Sequence, residues 1–371
     1  MKKPRFRLPD GMAVVLGLAL LLAAGLFAAF WPQGDFSDHE RRYLSDAPSA
    51  PSLLSWETDQ EIESYLSDRV PFRRALVAID SAVSTLTGRR TQLEAWPIGG
   101  SFVEKPVAGD ASTLERRLAQ MADVAATAHA PWRVMTPPTH GYLLREAMNP
   151  LMRSLYDAEG ELCALLESHP QAVALDGALA QVPNAYYATD HHWTLDGAYA
   201  AYRAYCETLG LLPAALDAFE QTRFDGFYGT TYSRSGMPFA RADVLRCAQP
   251  AGDIRLTILD DGTQYDTLIF PEQAASYDGY AVYLNGNHGL LEILNPAAPE
   301  GTLLVFKDSF ANCVLPLLSA HFSRIVAVDA RYYSRNFSDA VTAAGPVDEV
   351  LFLYSLDSLL NDTVVARKIA R

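Results

Sequence analysis

Three short runs in the last fifth of the chain leave it the fewest ways to fold: "LLVFKDS" (303–309), "RIVAVDA" (324–330) and "EVLFLYS" (349–355). Each is a near-continuous apolar stretch that stops at polar turn residues. A strand with one wet face alternates apolar and polar side chains, so a run without alternation must be covered on both faces. "WRVMTPP" (132–138) and "AVALDG" (172–177) have the same character earlier in the chain. Helical spacing fills the intervals, for example over 113–129 and 198–209. Apolar strands alternating with helices predict an α/β domain whose mostly parallel sheet lies between helical layers. "RLTILDDGTQYDTLIF" (255–270) breaks the pattern with a hairpin signal at Asp260-Asp261-Gly262, which predicts a small antiparallel insertion over about 220–295.

The other end of the chain is equally distinctive. Lys2, Lys3, Arg5 and Arg7 precede the uncharged run "MAVVLGLALLLAAGLFAAFW" (12–31), and Asp35, Asp38 and Glu40 follow it. About 20 apolar residues at ~1.5 Å each match the ~30 Å hydrocarbon core of a bilayer. Cations before the run predict a cytoplasmic N-terminus. The expectation is a single-pass anchor in the plasma membrane with the rest of the chain exported. A cleaved signal peptide is the alternative, although its apolar region usually spans only ~7–15 residues. The chain then divides into a basic tail (1–11), a transmembrane anchor (12–31), a stalk with helices broken apart at Val70-Pro71-Phe72 (32–95), and the α/β domain (96–371). A net charge of −14 argues against nucleic acid as a partner. Cys163, Cys206, Cys247 and Cys313 form no CxxC pair, so a structural zinc site is not expected, and their pairing is left open.

Ligands of open α/β sheets bind beyond the carboxyl ends of the strands, and three polar clusters fall at such places. In "TDHHWTLDGA" (189–198), Asp190 and His192 are two apart, so on an extended stretch they share a side and His191 points away. A carboxylate beside an imidazole is how a general base is oriented; a capped turn with a His packed on Trp193 is the plainer reading. Thr194 is the expected cap of the helix that follows. In "LLVFKDSFAN", Ser309 sits at the turn from a buried strand toward a helix, with backbone N–H groups beside it; it could equally be an N-cap. Asp308 is too close to be its base and reads as a loop anchor. In "LNGNHG" (284–289), Asn287 either faces substrate or shapes a tight turn. Adjacent His residues diverge, so a metal would need His140 or His288 to converge with them. Neither metal nor cofactor is expected.

Taken together these segments resemble the DHHW protein family. "TDHHWTLDGA" resembles its signature, "FDGFYGTTYSRSG" (224–236) its middle segment, and the run from "VYLNGNHGLLEILNP" to "GTLLVFKDSFANCVLPLLSAHFSRIVAVDARYY" its C-terminal block. That family is similar to the SGNH-hydrolase-like proteins of alginate and cell-wall polysaccharide O-acetylation. The resemblance implies a three-layer α/β/α fold and a triad of Ser309, His192 and Asp190. Phe310 departs from the commoner Tyr after the Ser, which removes one hydroxyl and no catalytic group. The family blocks add Asn287, Arg331, Tyr332, Tyr232, Ser233, Arg234 and His191 as substrate or oxyanion candidates. The implied activity is extracytoplasmic O-acyl transfer, O-acetyl foremost, to a cell-envelope or exopolysaccharide glycan. A multi-pass membrane-bound O-acyltransferase is the implied donor partner. A carbohydrate or lipid esterase with the same triad, and a non-catalytic glycan-binding or assembly subunit, are the competing readings.

Overall fold

The uninterrupted apolar runs become strands of one seven-stranded sheet. The structure is a computed structural model and describes residues 10–30, 34–37, 42–47, 56–70, 72–89 and 93–370. In chain order the strands are β1 (Trp132–Met135), β2 (Arg255–Ile258), β3 (Thr263–Tyr265), β4 (Leu290–Leu294), β5 (Thr302–Lys307), β6 (Arg324–Asp329) and β7 (Glu349–Leu353). Their order across the sheet is β1-β7-β5-β6-β4-β2-β3. The first four are parallel neighbours, and β4, β2 and β3 extend the sheet antiparallel.

Alternation along β5, β6 and β7 assigns their side chains to two cores. Leu303, Val305, Ile325, Ala327, Leu351 and Leu353 face one; Leu304, Phe306, Val326, Val328, Val350 and Phe352 face the other. All twelve are 0–1% exposed, each contributing roughly 1.5–3 kcal/mol if fully desolvated, less for alanine. The second core is closed by Leu114, Leu118 and Met121 of helix Ala111–Ala128, Phe337 and Val341 of helix Phe337–Ala344, and Val365 and Ile369 of helix Thr363–Ile369. The first core is closed by Leu195, Tyr202 and Tyr205 of helix Leu195–Thr208 and by Leu315–Leu318. The result is the expected layered α/β arrangement.

Two local expectations need correction. The run 172–177 is not a strand. It makes one parallel bridge, Ala172 to Val134; the amides of Leu175 and Asp176 then donate to Glu167 Oε1 (2.9 Å each), and helix Asp176–Ala180 begins. The region 220–295 is not one insertion either. Phe219–Phe227 and Asp243–Pro250 form a separate hairpin, whereas β2, β3 and β4 pair edge-on with the main sheet. Its hairpin turn does fall where Asp260-Asp261-Gly262 placed it, with Gly262 at φ +77°. All four cysteines are free and buried.

The chain divides into two units, residues 1–89 with 236–238, and residues 90–235 with 239–371. In the first, Asp10–Phe30 is a single 21-residue helix, and helices Trp56–Asp68 and Arg73–Leu86 follow. Asp68 accepts from the amide and hydroxyl of Ser45 (2.8 and 2.9 Å). Several side chains of the first helix lie outside the described residues, as do residues 1–9 and 31–33. Among the described residues, no helix is long and apolar enough to cross a membrane.

Candidate active site

The carboxyl ends of all four parallel strands open onto one cavity of about 350 Å³. β1 delivers Pro137–Thr139, β5 delivers Asp308 and Ser309, β6 delivers Arg331, and β7 delivers Ser355 to Ser358. The placement follows the general rule for open α/β sheets.

Ser309 is the first residue of a 3-10 turn, Ser309–Cys313, that leaves β5. Asp308 builds this corner: its carboxylate accepts from Phe310 N (2.9 Å) and Ser355 N (2.8 Å), tying the ends of β5 and β7 together. The α-helix proper starts at Leu315, where Pro316 costs nothing because its missing N–H would have had no partner.

The loop carrying Asp190 and His192 is pinned from outside. Asp243 accepts from Ala188 N (3.0 Å), Thr189 N (2.7 Å) and the Thr189 hydroxyl (2.6 Å). Asp190 Oδ2 accepts from Thr230 N (2.7 Å). Asp190 Oδ1 accepts from the His192 amide (3.0 Å) and lies 2.5 Å from His192 Nδ1. On the far side of that ring, His192 Nε2 is 2.8 Å from Ser309 Oγ. With Nδ1–H donated to the carboxylate, Nε2 is free to accept the hydroxyl proton. Burial would raise the Asp190 pKa, but the adjacent His191 and His192 and the hydrogen bonds from His192 and Thr230 outweigh it, so the carboxyl stays ionised. Tyr280 stacks on the imidazole, 3.8 Å between centroids and 5° from parallel, and Phe310 flanks it at 5.0 Å. Trp193 is fully buried and donates to Phe310 O (3.0 Å), bracing the Ser309 turn against the histidine loop. Thr194 caps the helix as expected, accepting from Gly197 N.

His191 is where the extended-strand argument fails. Its ring lies 3.9 Å from that of His192 and lines the cavity beside Ser309. The chain bends at 188–192, because Asp190 bonds the His192 amide two residues on, so period-two alternation does not apply. Burial, and then the His192 charge, push His191 down to about 3. About a quarter of its side chain is exposed, on the cavity side. Asp190, His191 and His192 are the metal-capable cluster among the described residues. Both nitrogens of His192 are already engaged, so three ligands for one ion would require the Asp–His–Ser array to come apart.

The other sequence candidates separate clearly. Arg331 and Arg234 line the cavity. Arg331 is also a brace, reaching Asp329 with Nε (2.9 Å) and Nη2 (2.7 Å). Tyr332 is 56% exposed and outside the lining. Tyr232 and Ser233 are buried away from it, Tyr232 against Phe102 and Tyr228, and Ser233 bonded to Gly229 O (3.3 Å). Helical geometry explains this: of the three consecutive residues on Thr230–Ser235, only Arg234 turns toward the cleft. Asn287 is not in the cavity wall but touches the Ser309 turn, its Oδ1 accepting from Asn312 Nδ2 (3.0 Å). Asn312 is three residues after Ser309 and eclipses it on a 3-10 turn.

Sequence reading missed four contributors. Lys307, 0% exposed at the end of β5, donates to Asn312 Oδ1 (2.7 Å) and pairs with Asp329 at 3.7 Å. Its signal was a cation inside an otherwise apolar strand. Glu159, also fully buried, holds the loop after β1 by accepting from Thr139 N, the Thr139 hydroxyl and Val107 N (3.0, 2.7 and 3.1 Å). Glu104 lines the cavity, and Gly229 lets Thr230 N approach Asp190; neither carried a local signal.

A layered α/β sheet whose carboxyl edge gathers a buried carboxylate, an imidazole and a strand-end hydroxyl in hydrogen-bonded series defines the class of protein. The family resemblance read from the residues is borne out: residues 180–328, which contain all three groups, match the family described as DHHW protein. Solved structures share the fold. A DHHW family protein from Eubacterium siraeum is 21% identical, with 74% of this chain and 94% of that chain covered and a TM-score of 0.63. PatB1 of Bacillus cereus, in a structure with a sulfonyl adduct, is 19% identical over 74% of this chain and 98% of its own, with a TM-score of 0.60. No curated protein sequence matches the chain.

Proposed function

We propose that the chain is a serine-dependent O-acyltransferase, O-acetyl foremost, acting on the hydroxyls of a cell-envelope or exopolysaccharide glycan. The observation that carries this reading is the continuous series from Asp190 Oδ1 through the His192 ring to Ser309 Oγ, with links of 2.5 and 2.8 Å, at the floor of an open cavity. His192 takes the Ser309 proton as Oγ attacks the donor carbonyl. The resulting imidazolium is held by Asp190 and returns the proton to the leaving group. A glycan hydroxyl, deprotonated by the same ring, then attacks the acyl-Ser309 ester and Ser309 is restored. The Phe310 amide is committed to Asp308, which leaves the Ser309 amide to meet the developing oxyanion.

The rest of the proposal comes from the sequence. Residues 12–31 anchor the chain in the plasma membrane with its N-terminus in the cytoplasm, and a multi-pass membrane-bound O-acyltransferase supplies the acyl group on the outer side. The sulfonyl adduct on PatB1 suggests the probe. A sulfonyl fluoride should modify the full-length chain at Ser309, located by peptide mass, and His192→Ala should slow labelling by ~10²–10⁴-fold. Equal labelling of Ser309→Ala and wild type would discard the triad.

A further inference from the structure

Beside the Ser309 cavity lies a second one of about 220 Å³ that shares a wall with it: Glu104, Thr139, His191, Arg234 and Asp357 line both. The smaller cavity has no role in forming the acyl-enzyme, yet its lining is polar. It combines Glu94, Lys105 and the hydroxyl-bearing Thr230 and Thr231 with the shared wall. Three features set this wall apart from ordinary protein surface. The Glu104 carboxylate accepts no hydrogen bond and makes no ion pair among the described residues, although the group is half-buried. Arg234 likewise has no hydrogen-bond or ion-pair partner among the described residues, while the neighbouring Arg331 is fully engaged by Asp329. Thr231 is 3% exposed and its hydroxyl is buried without a partner. Buried polar groups are almost always satisfied, so the Thr231 hydroxyl marks a wall built for a polar guest. The half-buried Glu104 carboxyl and the exposed Arg234 guanidinium have their hydrogen-bonding capacity uncommitted to protein among the described residues and open to the cavity.

We propose that this second cavity is the acceptor subsite, where Glu104 and Arg234 hold adjacent hydroxyls of a neutral glycosyl unit and present a third hydroxyl to the acyl group on Ser309. The inference rests on the acyl-Ser309 reading and names where its acceptor binds. The chemistry fits the pair. A guanidinium donates two parallel hydrogen bonds and a carboxyl accepts from, or donates to, the neighbouring oxygen, which is the pattern vicinal hydroxyls offer. Burial, reinforced by the charges of Asp190, Glu159 and Asp357, pushes the Glu104 carboxyl up to about 8, so at neutral pH it carries a proton and can donate as well. The volume, below the ~300 Å³ where drug-sized sites begin, suits one ring rather than an extended chain. His191, in both linings and 3.9 Å from His192, stands on the border that the acceptor hydroxyl must cross. There the hydroxyl oxygen bonds the acyl carbon as its proton passes to His192 Nε2, and the Ser309 Oγ–acyl bond then breaks as His192 returns that proton to Oγ. An occupied subsite also explains how transfer competes with water: a bound hydroxyl gains the effective concentration that a diffusing water lacks.

The test uses the full-length chain with 4-nitrophenyl acetate as donor and cellotetraose as acceptor probe, following nitrophenol release and acetylated cellotetraose together. Glu104→Gln and Arg234→Gln should each lower the ratio of transfer to hydrolysis at least about tenfold, through a raised KM for cellotetraose, and Arg234→Lys should recover part of it. In a Ser309→Ala background, where no turnover intervenes, both substitutions should weaken cellotetraose binding by a similar factor in calorimetry. A ratio and an affinity that both hold at wild-type values would overturn the subsite. Wild-type chain that forms acetyl-Ser309 by peptide mass yet acetylates no cellotetraose would overturn the neutral acceptor. Absence of acetyl-Ser309 would instead remove the triad reading beneath it.

Discussion

Gly229→Ala tests the site through a residue that takes no part in the chemistry. A β-carbon built at Gly229 would lie 2.1 Å from Asp190 Cβ and 2.4 Å from Asp190 Oδ2. Carbon atoms in contact prefer ~3.5–4.0 Å, so one of the two loops must retreat by roughly 1.4 Å. Backbone strain is not involved, since Gly229 is not among the glycines at positive φ. The cost is steric: about 1–3 kcal/mol for an overpacked site, or about 2–12 °C in Tm for a domain of this size. The catalytic cost should be larger. Asp190 would move away from Thr230 N at 2.7 Å and drag the His192 contact with it. A misplacement of ~1 Å costs ~10²-fold in rate. Release of nitrophenol from 4-nitrophenyl acetate and a thermal melt, measured on one preparation, read the two effects. Gly177→Ala is the matched control, since nothing lies within 4 Å of its β-carbon. Folded Gly229→Ala protein with turnover within threefold of wild type would show that the Asp190 position does not govern activity.

Asp190→Asn should cut turnover by ~10³–10⁴-fold, because an amide presents the wrong groups to Nδ1 and cannot stabilise the imidazolium; a loss below tenfold would remove Asp190 from the mechanism. His192→Ala should cost ~10²–10⁴-fold and His191→Ala clearly less, since only His192 reaches Ser309 Oγ; the reverse order in the same ester assay would reassign the base. Glu104 gives a pH signature with a definite sign. Its proton leaves near 4.5 in the unfolded chain and near 8 in the folded one, so the folded state holds more protons between those values and stability falls as pH rises through them. Glu104→Gln removes this slope, so its melting temperature relative to wild type should rise between pH 5 and pH 9; parallel curves would refute the raised carboxyl.

The strands were legible because a parallel sheet buried on both faces leaves an unmistakable pattern. β5, β6 and β7 fall almost residue for residue on the apolar runs 303–309, 324–330 and 349–355. The run 172–177 looked the same and is not a strand, because Glu167 captures the amides that a strand would have offered to β1. Local composition cannot report a competing acceptor eight residues upstream. Asp190, His192 and Ser309 were readable as chemistry, but His191 was misplaced for a backbone reason: an Asx turn replaced the extended stretch that alternation assumes. Tyr232 and Ser233 share a motif with Arg234 yet face the core, since a helix turns each residue about 100° from the last. Glu104 and Glu159 left no trace, as each is a single carboxylate whose environment comes from segments tens of residues away.

Lys307 shows how much of the site is set below its surface. Its ammonium can only donate, so the Asn312 atom facing it at 2.7 Å must be Oδ1. That fixes the Asn312 amide nitrogen toward Asn287, and Asn287 must therefore accept with Oδ1, leaving its Nδ2 to donate elsewhere. One buried cation thus decides the polarity of two amides in series and delivers a hydrogen-bond donor beside the Ser309 turn. The same ammonium stands 3.7 Å from Asp329, whose other contacts hold Arg331 in the cavity wall. Burial lowers the Lys307 pKa, and the charge of Asp329 opposes that shift. A buried ion pair contributes little net stability, and an apolar residue at the end of β5 would serve the fold as well. Asn287, Asn312 and Arg331 would then lose their orientation together, which is why this strand ends in lysine.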